Sequence, residues 1–192
     1  MEYTEQEMLN KDIDWFIQIK SELIHVASAG TLLPKVIQHA KENHKEKVKS
    51  IYKLQDFYSN DELEINPLLR DILNLEKYVQ EYSLVLETLK IPQGDDIIGS
   101  YITNLYIPAF SKFARKGFIS FDSSGINENN SLLYHWVVRP KFKISKNLNL
   151  YSNMNLPLFT SEDEKCNNII SILRTNNSPI PLVDLINDLP MT

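Results

Sequence analysis

Cysteine is nearly absent from this chain: Cys166 is the single one in 192 residues, which excludes a disulfide framework and a cysteine-based zinc site. Glycine is almost as scarce, and five in the whole sequence leave little material for a phosphate-cradling loop. No Walker loop, Gly-x-Gly-x-x-Gly fingerprint or Gly-x-Ser-x-Gly elbow occurs, so the common nucleotide, dinucleotide and serine-hydrolase sites lack sequence support. Apolar runs such as Trp15-Phe16-Ile17 and Trp136-Val137-Val138 fall far short of the ~20 residues that cross a bilayer, so no membrane partner is expected. Basic excess is missing too. Twenty Lys and Arg against 25 Asp and Glu give a net charge of -5, the wrong sign for a protein held on nucleic acid through phosphates. The acidic opening, with Glu2, Glu5 and Glu7, stands where a secretory signal carries Lys or Arg, so the expected location is cytoplasmic, with Cys166 reduced.

What is present reads as a folded α+β chain, since 43% hydrophobic residues are enough for a core. Thr4 stands three residues before Glu7 in capping-box form and starts a short helix ending near Asn10. Alternation then takes over. Trp15, Ile17 and Ile19 share one strand face and Ile24, Val26 and Ser28 the next, which predicts a hairpin whose turn lacks the usual Asn-Gly. Helical spacing follows over residues 32–54, capped by Thr31, over 67–90 after an Asn66-Pro67 start, and over 95–116, where Pro108 should kink or split the helix. Strand alternation returns over 118–122 and 132–139, with Pro140 as the stop and a short edge strand over 141–144.

The expected fold is an antiparallel sheet built from the N-terminal and central hairpins, packed against these helices. Each hairpin alone is marginal and needs a shared apolar face. Residues 1–146 form the α+β domain, the Asn-rich stretch 147–160 an irregular linker, and 161–192 a C-terminal helical pair. The first helix of that pair opens on a second capping box, Ser161 to Glu164. Trp15 and Trp136 are the expected core anchors.

Four histidines at 25, 39, 44 and 135 are too scattered for a metal motif, and His39 and His44, five apart, diverge on a helix, so neither metal nor cofactor is expected. Cys166 follows Glu162, Asp163 and Glu164, carboxylates that raise a thiol pKa where a nucleophile needs it lowered. Asp14 or Asp122 beside His25 or His135 would make a general-base pair, against the plainer role of a histidine satisfying a sheet-end hydrogen bond. A nuclease arrangement from Asp14, Asp122 and Lys141 lacks the Glu-x-Lys text it requires. The basic cluster of Lys112, Arg115, Lys116, Arg139, Lys141, Lys143 and Lys146 reads as solvated charge and a helix C-terminus before it reads as a nucleic-acid site.

Two segments carry a family likeness. Asp12-Ile13-Asp14-Trp15-Phe16 with His25-Val26-Ala27-Ser28-Ala29-Gly30, and Phe113 through Gly117, Ser120 and Asp122 to Tyr134-His135 and Pro140, resemble a set of uncharacterised small bacterial proteins, some similar to immunity proteins of polymorphic toxins. Ser21-Glu22 replaces the glycine-bearing turn that the resemblance leads one to expect. It implies a non-enzymatic protein that binds another protein, in the concrete case a cognate toxin whose active site it occludes, and it names no functional residues. The acidic balance suits a basic partner, and the clusters Asp61, Glu62, Glu64 and Glu162, Asp163, Glu164 are the candidate contact surfaces, against plain roles as solvated or helix-capping charge. The alternatives are a small hydrolase or nuclease-like enzyme using Asp14, His25, Asp122 and His135, and a structural subunit of a larger complex.

Overall fold

The computed structural model describes residues 2–73, 76–126, 132–142, 156–159 and 164–189. The chain runs through helix α1 (Glu5–Leu9), strands β1 (Asp14–Ile19) and β2 (Glu22–Ala27), helices α2 (Lys35–Gln38) and α3 (Lys41–Tyr52), a 3-10 turn (Asn60–Glu62) and strand β3 (Leu63–Ile65). Helices α4 (Leu69–Leu73), α5 (Glu76–Thr88) and α6 (Ile97–Tyr101), a π turn (Ile102–Tyr106) and helix α7 (Ile107–Ala114) follow. Strands β4 (Phe118–Ile126), β5 (Leu132–Pro140) and β6 (Leu158–Phe159) and helices α8 (Glu164–Thr175) and α9 (Leu182–Asn187) complete it. Among the described residues no helix is long and apolar enough to cross a membrane.

Both hairpins lie in one six-stranded sheet, in the order β3-β5-β4-β2-β1-β6. The fold is α+β, as expected, but the sheet is mixed: β1 and β2, β4 and β5, and β3 and β5 pair antiparallel, while β2 pairs with β4, and β1 with β6, in parallel. The reason is the route of the chain. After β2 it passes through α2 to α7 and re-enters beside β2 in the same direction, and a connection of that length is what a parallel pair requires.

Strand alternation sorts the core into two sides. Trp15, Ile17, Ile19, Ile24, Val26, Phe121 and Trp136 join Met8 of α1, Ile37 of α2 and the inward residues of α8 and α9 in one cluster. Residues of opposite parity, Phe16, Leu23 and Phe118, pack with Ile51 of α3 and Phe113 of α7, while Ala27 and Val137 pack with Tyr106, Phe110 and Ala114. Both tryptophans are fully buried, as anticipated. Arg174 of α8 closes an ion pair onto buried Glu22, and Arg139 reaches from β5 to the Leu173 carbonyl, so the C-terminal helices are tied to the sheet by charge as well as by packing.

Several elements depart from their expected bounds. The 32–54 helix divides into α2 and α3, because Leu32 and Leu33 lie outside any helix ahead of Pro34, whose ψ is 146°, and the backbone leaves helical geometry at Ala40. Thr31 therefore caps nothing and donates its hydroxyl to the Ser28 carbonyl. The 67–90 helix is seen as α4 and α5, with residues 74–75 outside the described set, and Asn66 accepts from the Leu68 N–H as its capping role requires. Strand β4 runs on to Ile126, four residues past its expected end, by taking up register shifts against β5. Residues 141–142 are bent rather than extended, and the rest of the expected edge strand lies outside the described residues. In the expected linker, Leu158 and Phe159 instead form β6 on the edge of β1, with Leu156 buried.

Candidate functional site

The register of the strands brings the predicted acid–base residues to one end and one face of the sheet. In the β1/β2 ladder His25 lies opposite Phe16 and Asp14 opposite Ala27, so Asp14 and His25 are diagonal neighbours on the same face. Their side chains meet, with His25 Nε2 3.0 Å from Asp14 Oδ1. A carboxylate is an acceptor, so His25 carries its proton on Nε2 and leaves Nδ1 bare. That Nδ1 is buried without a partner, and the ring lies 3.8 Å from the Phe113 centroid. Asp14 Oδ2 accepts from the Tyr52 hydroxyl at 3.2 Å, and Lys112 Nζ donates to the same hydroxyl at 3.1 Å.

The second pair is bridged. Asp122 and His135 face each other across β4 and β5, and the Tyr106 hydroxyl sits between them, donating to Asp122 Oδ2 at 2.7 Å and lying 2.9 Å from His135 Nε2. Tyr106 has one proton, so His135 Nε2–H donates to it, and His135 Nδ1 accepts from the Ser124 hydroxyl. The hydrogen bonds form one directed chain, Ser124 to His135 to Tyr106 to Asp122, closed by the Ser123 N–H on Asp122 Oδ1.

Tyr106 reaches this position through the π turn. Residues five apart stand about 140° from each other on a regular α-helix, yet the Tyr101 and Tyr106 rings approach to 6.0 Å. Pro108, which follows two residues later, has no N–H for the helical ladder, and the wider turn before it absorbs the missing bond. The expected break at Pro108 is thus a one-turn bulge that re-aims a tyrosine.

Asp14, His25 and Asp122 line one cleft of about 520 Å³, together with Asp12, Lys112 and Tyr106, while Val85, Leu89, Leu105 and Phe110 supply apolar wall. Ala27, Ala29 and Ala109 contribute only methyl groups where larger side chains would fill the space. Asp12 is held by the Ala29 N–H at 2.8 Å, in a turn where Ala29 and Gly30 both take positive φ, 49° and 72°. A Cβ on Gly30 would meet the Leu9 carbonyl oxygen at 2.9 Å, so that position admits only glycine. A larger groove of about 610 Å³ between α1 and α3 shares Asp12 and Asp14 but is otherwise lined largely by lysines and apolar groups.

The environments drive the titrating groups apart. Burial works against the Asp14 charge, but the hydrogen bond from His25, the charge of Lys112 and the Tyr52 hydroxyl outweigh it and hold the carboxyl below its ordinary range. Burial raises Asp122 to about 6, with Asp12 and Asp14 adding repulsion against the hydrogen bonds from Tyr106 and Ser123. Burial lowers His25 despite its carboxylate partner, and lowers His135 to about 4. Both imidazoles are therefore neutral near pH 7.

The first acidic cluster has roles within the chain. Glu62 accepts from the Ser59 N–H and hydroxyl in a capping box, Glu64 accepts from Arg139, and exposed Asp61 offers its backbone carbonyl to Lys141. Glu164 is exposed in the first turn of α8, and Glu162 and Asp163 lie outside the described residues. Among the described residues no three His, Cys, Asp or Glu are disposed to hold a metal ion. Sequence reasoning missed Tyr52, Tyr106 and Ser124. The one available signal for Tyr106 was its five-residue spacing from Tyr101 just before Pro108, which suits a π turn and not an α-helix. No family model, curated protein or solved structure matches this chain.

Proposed function

We propose that the cleft is the active site of a small enzyme of the hydrolytic class, in which Asp14 is the general base and Asp122 the general acid. The observation that carries this is the pair of carboxylates on one cleft with pKa values driven in opposite directions, the pattern by which acid and base roles are divided between like groups. Asp14 takes the proton of an attacking water, Asp122 gives its proton to the leaving group, and proton exchange with solvent restores both. His25 is a positioning residue, with its Nε2–H fixing Asp14. Apolar walls around a few convergent polar groups are what a small-molecule site needs.

The test is turnover of a panel of chromogenic 4-nitrophenyl esters and glycosides. Asp14→Asn should lower kcat by about 10²-fold or more. The wild-type rate should fall as pH rises through about 6, where Asp122 loses its proton, and again below the ordinary carboxylate range as Asp14 gains one. Absence of turnover across the panel, or an Asp14→Asn protein at full rate, refutes the assignment.

A protein partner seated over the cleft, as an immunity protein would be, is the second reading. It is supported by Leu84 and Val85 of α5 and Leu89 just after it, exposed at 64%, 41% and 54% beside the cleft that Val85 and Leu89 line. Leu84→Asp should then abolish a complex with a toxin encoded beside this chain, scored by size-exclusion chromatography, while leaving melting unchanged.

A further inference from the structure

The charges lining the cleft are unbalanced. Asp12, Asp14 and Asp122 face it against one ammonium, Lys112. That ammonium is engaged at the wall, donating to the Tyr52 hydroxyl and lying 4.8 Å from the Phe113 ring centroid. Three carboxylates in a partly dry space repel one another, and a cation among them removes that cost. One oxygen of Asp12 and both oxygens of Asp14 and Asp122 already accept hydrogen bonds, and among the described residues no three His, Cys, Asp or Glu are disposed to hold a metal ion. An organic ammonium tolerates such shared acceptors, and the aromatic rings beside the carboxylates attract it through their faces.

A second feature points the same way. His25 is 1% exposed, lines the cleft and has no partner for its buried Nδ1, which in the Nε2–H form is an acceptor. The remaining wall, from Val85, Leu89, Leu105 and Phe110, suits an apolar body.

We infer that the cleft binds a small organic amine, with Asp12 anchoring its ammonium beside Asp14 and Asp122, and with its aromatic or aliphatic body lying against α5 and α7. The inference rests on the cleft being the working site and adds the substrate class. A volume of about 520 Å³ accepts a free amine of modest size in full.

Calorimetric titration of the whole protein at pH 7.5 with 2-phenylethylamine, 2-phenylethanol and 3-phenylpropanoate separates charge from shape. The amine should bind at least tenfold tighter than the alcohol, and the acid should not bind. Asp12→Asn, which keeps an acceptor for the Ala29 N–H, should weaken the amine by about tenfold or more and leave the alcohol unchanged. Asp14→Asn gives the same reading on a second side chain if the first variant misfolds. Equal binding of amine and alcohol overturns the amine class while the cleft stands as a ligand site; tighter binding of the acid does the same. Binding of Nα-acetyl-lysinamide above the amine assigns the site to a polypeptide lysine and overturns the free amine. No heat from any probe, with unshifted His25 and Tyr101 resonances, removes the cleft reading together with the inference.

Discussion

Replacing Asp122 with asparagine should make the protein more stable at neutral pH, and the gain should vanish in acid. The carboxyl titrates near 6 in the folded chain and near ~3.9 unfolded, so folding raises it by about two units. At about 1.4 kcal/mol per unit the effect is worth up to ~3 kcal/mol. The sign follows from proton binding: the folded state holds the proton more tightly, so the stabilising contribution is complete below the unfolded value and is lost as pH rises through about 6. Asparagine, neutral throughout, escapes the loss. It also keeps the hydrogen bonds, because the chain can reverse: its amide donates to Tyr106, Tyr106 donates to His135 Nε2, and His135 in its other tautomer donates from Nδ1–H to Ser124. The two buried histidines act in the opposite sense. With pKa values lowered by burial, they make stability rise with pH up to their unfolded value, so the wild-type curve is flattened where Asp122 and the histidines oppose. Urea melts of both proteins from pH 4 to 8 should show curves that converge near pH 4 and separate above 6. A variant less stable than wild type at pH 7.5, or a gain that persists undiminished at pH 4, refutes the account.

The two tryptophans should separate under conservative substitution. Each →Ala change should cost ~3–5 kcal/mol in urea melts, but Trp136→Phe should cost more than Trp15→Phe, because Trp136 Nε1 donates to the Asn176 carbonyl whereas Trp15 Nε1 has no partner. Equal losses would refute the distinction. Arg139→Met should destabilise by about 2–3 kcal/mol, the worth of charged hydrogen bonds, since it removes the bonds to Glu64 and the Leu173 carbonyl and the stacking at 3.9 Å over Trp136. A variant that melts like the parent shows that these contacts contribute nothing.

What the residues disclosed in advance follows the range of the interactions involved. The Thr4 to Glu7 capping box and the alternation of Trp15, Ile17 and Ile19 are local, and both stand where the pattern put them. The splitting of the 32–54 helix was less legible, because the side-chain spacing of Leu33, Ile37, Ala40 and His44 is helical even though Pro34 and Ala40 end the backbone run. Strand β6 is two residues long and exists because β1 offers an edge, which no periodicity reveals. For the site, Asp14, His25, Asp122 and His135 were nameable because an acid near a histidine in a hairpin is a local pattern. Their connectors were not. Tyr52 comes from α3, Tyr106 from the π turn and Lys112 from α7, and only the folding of these elements over the β1 and β4 ends makes them neighbours.

The distribution of unfavourable choices is itself informative. Around the cleft the chain keeps Ala29 at positive φ, a π turn in place of an α-helical one, three mutually repelling carboxylates and a buried imidazole nitrogen without a partner. Each costs stability, and single substitutions would relieve several of them: glycine at 29, or asparagine at 122. Elsewhere Lys20 and Lys90 also take positive φ and Trp15 Nε1 is buried without a partner, but charged groups there are paired. Buried Glu22 meets Arg174, Lys116 meets Asp56 and the Leu54 carbonyl, and Arg139 meets Glu64. Three mutually repelling carboxylates beside one apolar space are what the proposed ammonium site would retain, because such a site needs their charge to hold a cation and a carboxyl to move a proton.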